Sequence, residues 1–360
     1  MIGMGTDLLV AVLWCLALAI LAATFLPMWK TSLWWVRILD FPRLQIAVLS
    51  VPVLVAALFL SGPSRLLIPA LMLAACGYQF WRIRPYTAFH PVEMNLAPHA
   101  PDEIRVLSAN VLMENARHDL LLKVVEAFDP DILLLMETDR TWMDAVEPVL
   151  ARYSTVLREP RPDHYGMLFA TRLAVEEARI IRLTTGDTPS VFAQLKGPDG
   201  TVFRFAGLHP RPPVPGQDTE ERDAEIYYAA RFAAKSGVPL IATGDFNDVA
   251  WSDTSQSFKH VGQYLDPRIG RGFFASFDAE KPYLRFPIDH FYATEGVAVV
   301  SIERLAYVGS DHFPMAVTFR LDGALAAGLN VAPRPVSDKE REVIEASVAR
   351  TRKILRHTEP

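Results

Sequence analysis

The chain has 360 residues, 51% of them hydrophobic, with 36 Lys and Arg against 41 Asp and Glu and a formal charge of −5. That length suggests about two domains. The apolar content is high for a purely soluble chain, and the acidic balance disfavours a sequence-blind nucleic-acid binder, which normally carries the opposite sign.

The apolar surplus lies at the N-terminus, where three runs predict a membrane region over residues 1–84 with helices at 8–26, 44–60 and 66–81. Leu8 to Leu26 carries no charge and is about long enough for a hydrocarbon core of roughly 30 Å. The third run is the weakest of the three, because it is short and contains Pro69 and Gln79. A cleaved signal peptide is disfavoured, since no Lys or Arg precedes the first run. Five of the seven tryptophans (Trp14, Trp29, Trp34, Trp35 and Trp81) fall in this region, and four of them flank the runs as an interfacial belt requires. Lys30, Arg37 and Arg43 lie between the first two runs and Arg82 and Arg84 follow the third, with Arg65 alone on the other side. This bias predicts a cytoplasmic location for the first loop and for everything after the third span. Cys15 and Cys76 both sit in apolar runs, so the remainder has neither a disulfide framework nor a thiolate metal site.

Residues 85–102, rich in Pro, His and Asn, are expected to be a linker. A domain over 103–322 follows, and the chain beyond the linker has a formal charge of about −7. Extended segments are expected at Ile104 to Ala109, Ile132 to Met136, Met167 to Ala170, Val191 to Leu195, Val202 to Leu208, Pro239 to Thr243, His290 to Ala293 and Met315 to Arg320. Helices are expected at about His118 to Phe128, Trp142 to Ala151 and Glu220 to Lys235. Strands mixed with few helices predict an α/β architecture of packed sheets covered outside by helices. Residues 323–360 form a tail, in which Ser337 to Arg356 has the spacing of a charged amphipathic helix.

The strands end on chemistry. Ile241-Ala242-Thr243-Gly244 stops on Asp245, Phe246, Asn247 and Asp248, which places the Asp245 and Asn247 side chains on one face of an extended segment. An acid and an amide on a rigid strand end suit a divalent cation and a phosphate, although an Asx turn explains the octapeptide equally well. Elsewhere Ser108-Ala109 leads to Asn110, the apolar run Ile132 to Met136 to Glu137, Gly207-Leu208 to His209, Pro287-Ile288 to Asp289, and Gly309-Ser310 to Asp311 and His312. Each alone has a dull reading as a turn residue, a cap or a loop histidine.

Taken in order, the motifs Leu-Ser-x-Asn-Val, Pro-Asp-Ile-x-x-x-x-Glu, Gly-Asp-x-Asn and Ser-Asp-His resemble the endonuclease/exonuclease/phosphatase superfamily over about residues 103 to 322. The resemblance implies a four-layered α/β/β/α sandwich of two mixed sheets with its site at the strand ends. It also implies roles. Glu137 is the main metal ligand, with Asn110 and Asp311 beside it, and the ion is Mg²⁺, with Mn²⁺ as the alternative. Asp245 orients or deprotonates the attacking water, Asn247 donates to the phosphoryl oxygen, and His312 does likewise or helps activate water, with Asp289 fixing its tautomer. His209 is the general acid toward the leaving oxygen. Arg211, Tyr165 and Trp251 are weaker candidates for substrate contact. The leader resembles that of membrane-attached bacterial members, which implies the inner membrane.

The leading expectation is an integral membrane phosphoester hydrolase acting on a phospholipid head group or a small phosphorylated metabolite. A membrane-attached nuclease is the second expectation, weakened by the acidic domain. A retired binding module is the third, disfavoured because no expected acid, amide or histidine is missing.

Overall fold

The computed structural model describes residues 2–185, 187–234, 237–338 and 342. The chain divides into two compact units. One comprises Met1–His90 with Pro213–Asp218, the other Pro91–Pro212 with Thr219–Pro360.

The first unit is helical: α1 (Ile2–Phe25), a short α2 (Trp34–Arg37), α3 (Arg43–Ala57) and α4 (Ser64–Ile83). Leu13 and Ala17 of α1, Val53 and Ala57 of α3, and Ile68 and Met72 of α4 form its apolar core. Two helical stretches, Asp7–Met28 and Ser64–Tyr86, are long and apolar enough to cross a membrane. The second expected span is different. It is the 15-residue α3, roughly 22 Å long at 1.5 Å per residue, and it meets Trp34–Asp40 at a bend of 77°. A polar cluster sits inside the unit: Arg43 Nη1 donates to Gln79 Oε1 (3.0 Å), Gln79 Nε2 to Thr24 Oγ1 (3.1 Å), and both Arg43 and Arg37 pair with Asp40. Gln79 is therefore a buried partner of Thr24 and Arg43, not a break in the third apolar run.

The second unit contains two six-stranded mixed sheets. The first is built from β1 (Ile104–Asn110), β2 (Ile132–Met136), β3 (Thr155–Glu159), β4 (Met167–Thr171), β11 (Ala298–Arg304) and β12 (Met315–Arg320), in the order β11-β12-β1-β2-β4-β3. The second is built from β5 (Ala174–Arg182), β6 (Pro189–Lys196), β7 (Val202–Leu208), β8 (Leu240–Asp245), β9 (Tyr264–Leu265) and β10 (Asp289–Thr294), in the order β5-β6-β7-β8-β10-β9. Alternation sorts the side chains. Ile132, Leu134 and Met136 of β2 face Phe205 and Ile241 between the sheets, while Leu133 and Leu135 face outward with Leu121, Val125, Trp142 and Val146 of α5 (His118–Phe128) and α6 (Arg140–Leu150). On the other outer face Leu240 and Ala242 pack with Ile226, Ala230 and Phe258 of α7 (Glu220–Ala234) and α8 (Asp253–Val261). The result is the α/β/β/α sandwich.

The expected linker is not one stretch. Residues from Pro91 belong to the second unit: Met94 is buried, the Asn95 amide donates to Leu329 O (3.0 Å) and the Ala97 amide to Val299 O (2.7 Å). The apolar side chain of Met94 gives that segment something to bury, which the Pro and His content concealed. The first part of the expected tail is α9 (Gly323–Leu329), capped by Asp322. The expected amphipathic helix lies almost wholly outside the described residues.

Candidate active site

The strand directions gather the polar ends on one edge. β1 runs parallel to β2, and β7 to β8, so Asn110, Glu137, His209 and Asp245 all emerge where parallel strands finish. The antiparallel β10 starts at that edge with Asp289 paired directly to Asp245. β12, antiparallel to β1, follows directly after the segment carrying Asp311 and His312.

Local backbone sharpens the delivery. Glu137 (φ 62°) and Asn247 (φ 49°) turn their strands into loops through the left-handed region, which non-glycine residues rarely adopt. Gly244 has φ 136°, and a Cβ there would overlap the Leu208 carbonyl of the neighbouring strand, so the glycine before Asp245 is required by both conformation and space.

Asn110 is the hub. Its Nδ2 donates to Glu137 Oε1 (2.8 Å) and to Asp245 Oδ2 (3.1 Å), while its Oδ1 accepts from the Leu112 amide (3.1 Å). The amide therefore faces the two carboxylates as a donor, and its oxygen is turned toward its own backbone. Asp245 Oδ1 accepts from the Asn247 amide (2.8 Å), and its Oδ2 lies 3.8 Å from His209 Nε2 and 3.6 Å from His312 Nε2. His312 Nδ1 lies 2.7 Å from Asp289 Oδ2. Asn247 Nδ2 donates to Pro210 O (2.9 Å). Asp311 is half-buried and its backbone oxygen accepts from the Ala279 amide (2.6 Å).

These burials set the charges. Burial pushes the Glu137 carboxyl up, but His209 and the bonds from Asn110 and His164 outweigh it and hold it below the usual range. Burial lowers His209 to about 4 and so keeps it neutral at pH 7; at that pH the Asn110 and His164 bonds and the charge of His312 are the part of the Glu137 stabilisation that persists. Burial also opposes protonation of His312, yet the charges of Asp289 and Asp245 and the bond to Asp289 lift it to about 10. Burial raises Asp245 and Asp311 above ordinary carboxylates. The site thus holds an imidazolium, a neutral imidazole and a carboxyl poised to take a proton.

The donors present suit a hard divalent cation: Glu137 is ionised and only partly buried, with Asp311 on the segment that leads into β12. Asp245, Asp289 and His312 also lie close enough to hold an ion, but Asp289 and His312 are bonded to each other, and an ion there would have to displace that contact.

Among the weaker candidates, Tyr165 lies beside the site with its ring centroid 5.4 Å from that of His209, and the Arg211 guanidinium stacks on Tyr165 at 5.2 Å. Trp251 is buried, its ring edge-on to Phe273 (5.9 Å). Two participants escape sequence reasoning. His164 Nδ1 lies 3.0 Å from Glu137 Oε2, and Ser310 Oγ donates to Asn110 O (2.9 Å) while accepting from the His312 amide (3.0 Å). Ser310 belongs to the Ser-Asp-His motif and was within reach; His164 has no such signal.

The family model described as the endonuclease/exonuclease/phosphatase family matches residues 107–312, more than half of the chain. Among solved structures, Danio rerio TDP2 complexed with a single-strand DNA product is 16% identical with a TM-score of 0.50, covering 61% of this chain and 99% of that one. The human Nocturnin catalytic domain with bound sulfate is 20% identical (TM-score 0.48; 62% and 96%). A family protein from Bacteroides thetaiotaomicron is 17% identical (TM-score 0.48; 62% and 96%). A search of curated proteins found no match. The chain belongs to the endonuclease/exonuclease/phosphatase family, whose members are metal-dependent phosphoester hydrolases.

Proposed function

We propose that this enzyme is anchored in the bacterial inner membrane, that its ion is Mg²⁺, and that its substrate is a phospholipid head group or a small phosphorylated metabolite. The observation that carries this reading is the pairing of helices long and apolar enough to cross a bilayer with a catalytic unit of acidic sequence. An acidic unit repels long polyanions, and an anchor favours substrates at the bilayer. The basic-residue bias supports a cytoplasmic catalytic unit.

The ion, held by Glu137 with Asp311 beside it, would polarise a phosphoryl oxygen and offset its negative charge, while Asn110 holds the Glu137 carboxylate as a hydrogen-bond donor. The chain's own residues do the rest. Asp245 orients a water and takes one of its protons as the water oxygen bonds to phosphorus. His312, an imidazolium held by Asp289, donates from Nε2 to a non-bridging oxygen. Asn247 releases Pro210 O and donates to the same phosphoryl group. His209 is neutral in the free protein; an arriving phosphate supplies the negative charge that brings a proton onto it, and that proton passes to the leaving oxygen as its bond to phosphorus breaks. Arg211, stacked on Tyr165, would bind a second anionic group.

The test is a panel of phospholipids in mixed micelles, soluble phosphomonoesters and diesters, and plasmid DNA, each with Mg²⁺ and with EDTA. Mg²⁺-dependent release from a lipid or small metabolite is the expected result. Degradation of plasmid in preference to every lipid and metabolite would replace this reading with a membrane-attached nuclease.

A further inference from the structure

Glu137 is gripped from two sides. Asn110 Nδ2 holds Oε1 at 2.8 Å, and the His164 ring holds Oε2 through Nδ1 at 3.0 Å while its Nε2 lies 3.2 Å from Glu114 Oε1. Each ring nitrogen thus faces a carboxylate, and the imidazole cannot rotate without losing both contacts.

The segment that carries His164 is built to deliver it. The Arg161 amide donates to Thr138 O (3.1 Å) and the Thr138 amide to Gly166 O (3.2 Å), which lashes the loop to the residue following Glu137. The Arg161 guanidinium bonds Asp163 and the Asp187 backbone oxygen (3.2 Å), and the Tyr165 amide donates to Asp163 Oδ1 (3.3 Å). A Cβ at Gly166 would overlap Thr138 O. His164 itself adopts φ 66°, a left-handed conformation that a non-glycine residue keeps only where its surroundings over-determine it. A loop histidine with no task has no reason to be held in that conformation against a half-buried carboxylate.

We propose that His164 is a positioning residue for the metal ligand Glu137: by occupying Oε2 opposite Asn110, it fixes the carboxylate so that its remaining lone pairs point into the site, with Glu114 anchoring the ring from behind. This rests on the reading of Glu137 as a metal ligand. Hydrogen-bonded partners of a ligating carboxylate fix its orientation, and their removal weakens metal binding by about 10–100-fold.

The experiment titrates Mn²⁺ alone into the full chain in detergent micelles, followed by electron paramagnetic resonance, for the native protein, Glu137→Gln, His164→Ala and His164→Asn. Asn offers Nδ2 where the imidazole offers Nδ1, and it tolerates a left-handed backbone. The expected result is loss of site binding in Glu137→Gln, a dissociation constant raised about 10–100-fold in His164→Ala, and one within about threefold of native in His164→Asn. Native or tighter binding in His164→Ala, alongside loss in Glu137→Gln, overturns the positioning role while leaving the ligand reading intact. Equal weakening in His164→Ala and His164→Asn also overturns it, because the effect then belongs to loop packing. Native binding in Glu137→Gln removes the ligand reading itself, and this inference with it.

Discussion

Asp289 and His312 form a buried acid-imidazole pair at 2.7 Å that spans the two sheets: Asp289 opens β10 in one, and His312 precedes β12 in the other. Burial alone would strip the proton from His312; the two aspartates reverse that and raise it to about 10. Because the folded value lies above the unfolded one, the pair stabilises the fold fully below about pH 6.5, and that contribution, on the order of a few kcal/mol, is lost as pH rises through about 10. Asp289→Asn should remove this alkaline loss in thermal unfolding and cost about 10² to 10⁴ in turnover. Unchanged turnover together with an unchanged pH slope would refute the pairing role.

Glu137 leaves a fully apolar strand and is held ionised. Glu137→Gln keeps the volume and the Asn110 neighbourhood but removes the charge that a divalent ion requires. Turnover with Mg²⁺ should fall by about two orders of magnitude or more, to the level of native protein in EDTA. Thermal unfolding without metal checks that the fold survives.

Glu225 on α7 is a buried carboxyl outside the site, accepting from Thr188 Oγ1 (2.6 Å) and Ser190 Oγ (2.7 Å). Burial outweighs those bonds and raises it to about 7. The folded state therefore retains a proton that the unfolded chain releases near pH 4.5, and stability falls as pH rises from about 4.5 through 7, by roughly 3 kcal/mol in all. Glu225→Gln should flatten that slope in unfolding curves at pH 5 and pH 7.5; a slope identical to native would assign it elsewhere.

Much of this was legible in the sequence because it was written in contiguous residues. Ile132 to Met136 is apolar throughout and ends abruptly on Glu137, so both strand and site residue announce themselves. β5 did not: it is an exposed edge strand carrying Glu176 and Glu177, and a register shift between Val175 and Glu177 breaks its alternation. β11 fell below notice for a similar reason, with a shift between Val299 and Ser301. His164 is illegible in principle, since its position depends on contacts of Thr138 with Arg161 and Gly166, far apart in the chain. Gln79 misled, because a polar residue inside an apolar run reads as a defect until Thr24 and Arg43 are seen to satisfy it.

That polar cluster bears on topology. Arg37 and Arg43 both counted toward a cytoplasmic first loop, yet both are buried against Asp40. The remaining asymmetry rests on Lys30, Arg82 and Arg84 against Arg65, and still favours the proposed cytoplasmic side if three apolar segments cross. A reporter fused after Pro360 should be active in its cytoplasmic form. Activity of a periplasm-only reporter at that junction would mean that the bent α3 segment does not cross, leaving two spans or a reversed orientation.

His209 separates mechanism from mere membership. Its ring is fully buried, Nδ1 has no hydrogen-bond partner among the described residues, and Nε2 points toward Asp245 at 3.8 Å. A buried ring with a nitrogen left for an incoming group suits a proton donor. His209→Ala should cost about 10² to 10⁴ in turnover on a phosphoester with a poor leaving group and far less on a nitrophenyl ester, whose leaving oxygen departs without a proton. His312→Ala should slow both substrates alike, because charge on the phosphoryl oxygens builds up whatever departs. Large and equal losses on both substrates for His209→Ala would move it from proton donor to phosphate binder. A small loss independent of the leaving group would leave it as filling beside Pro210.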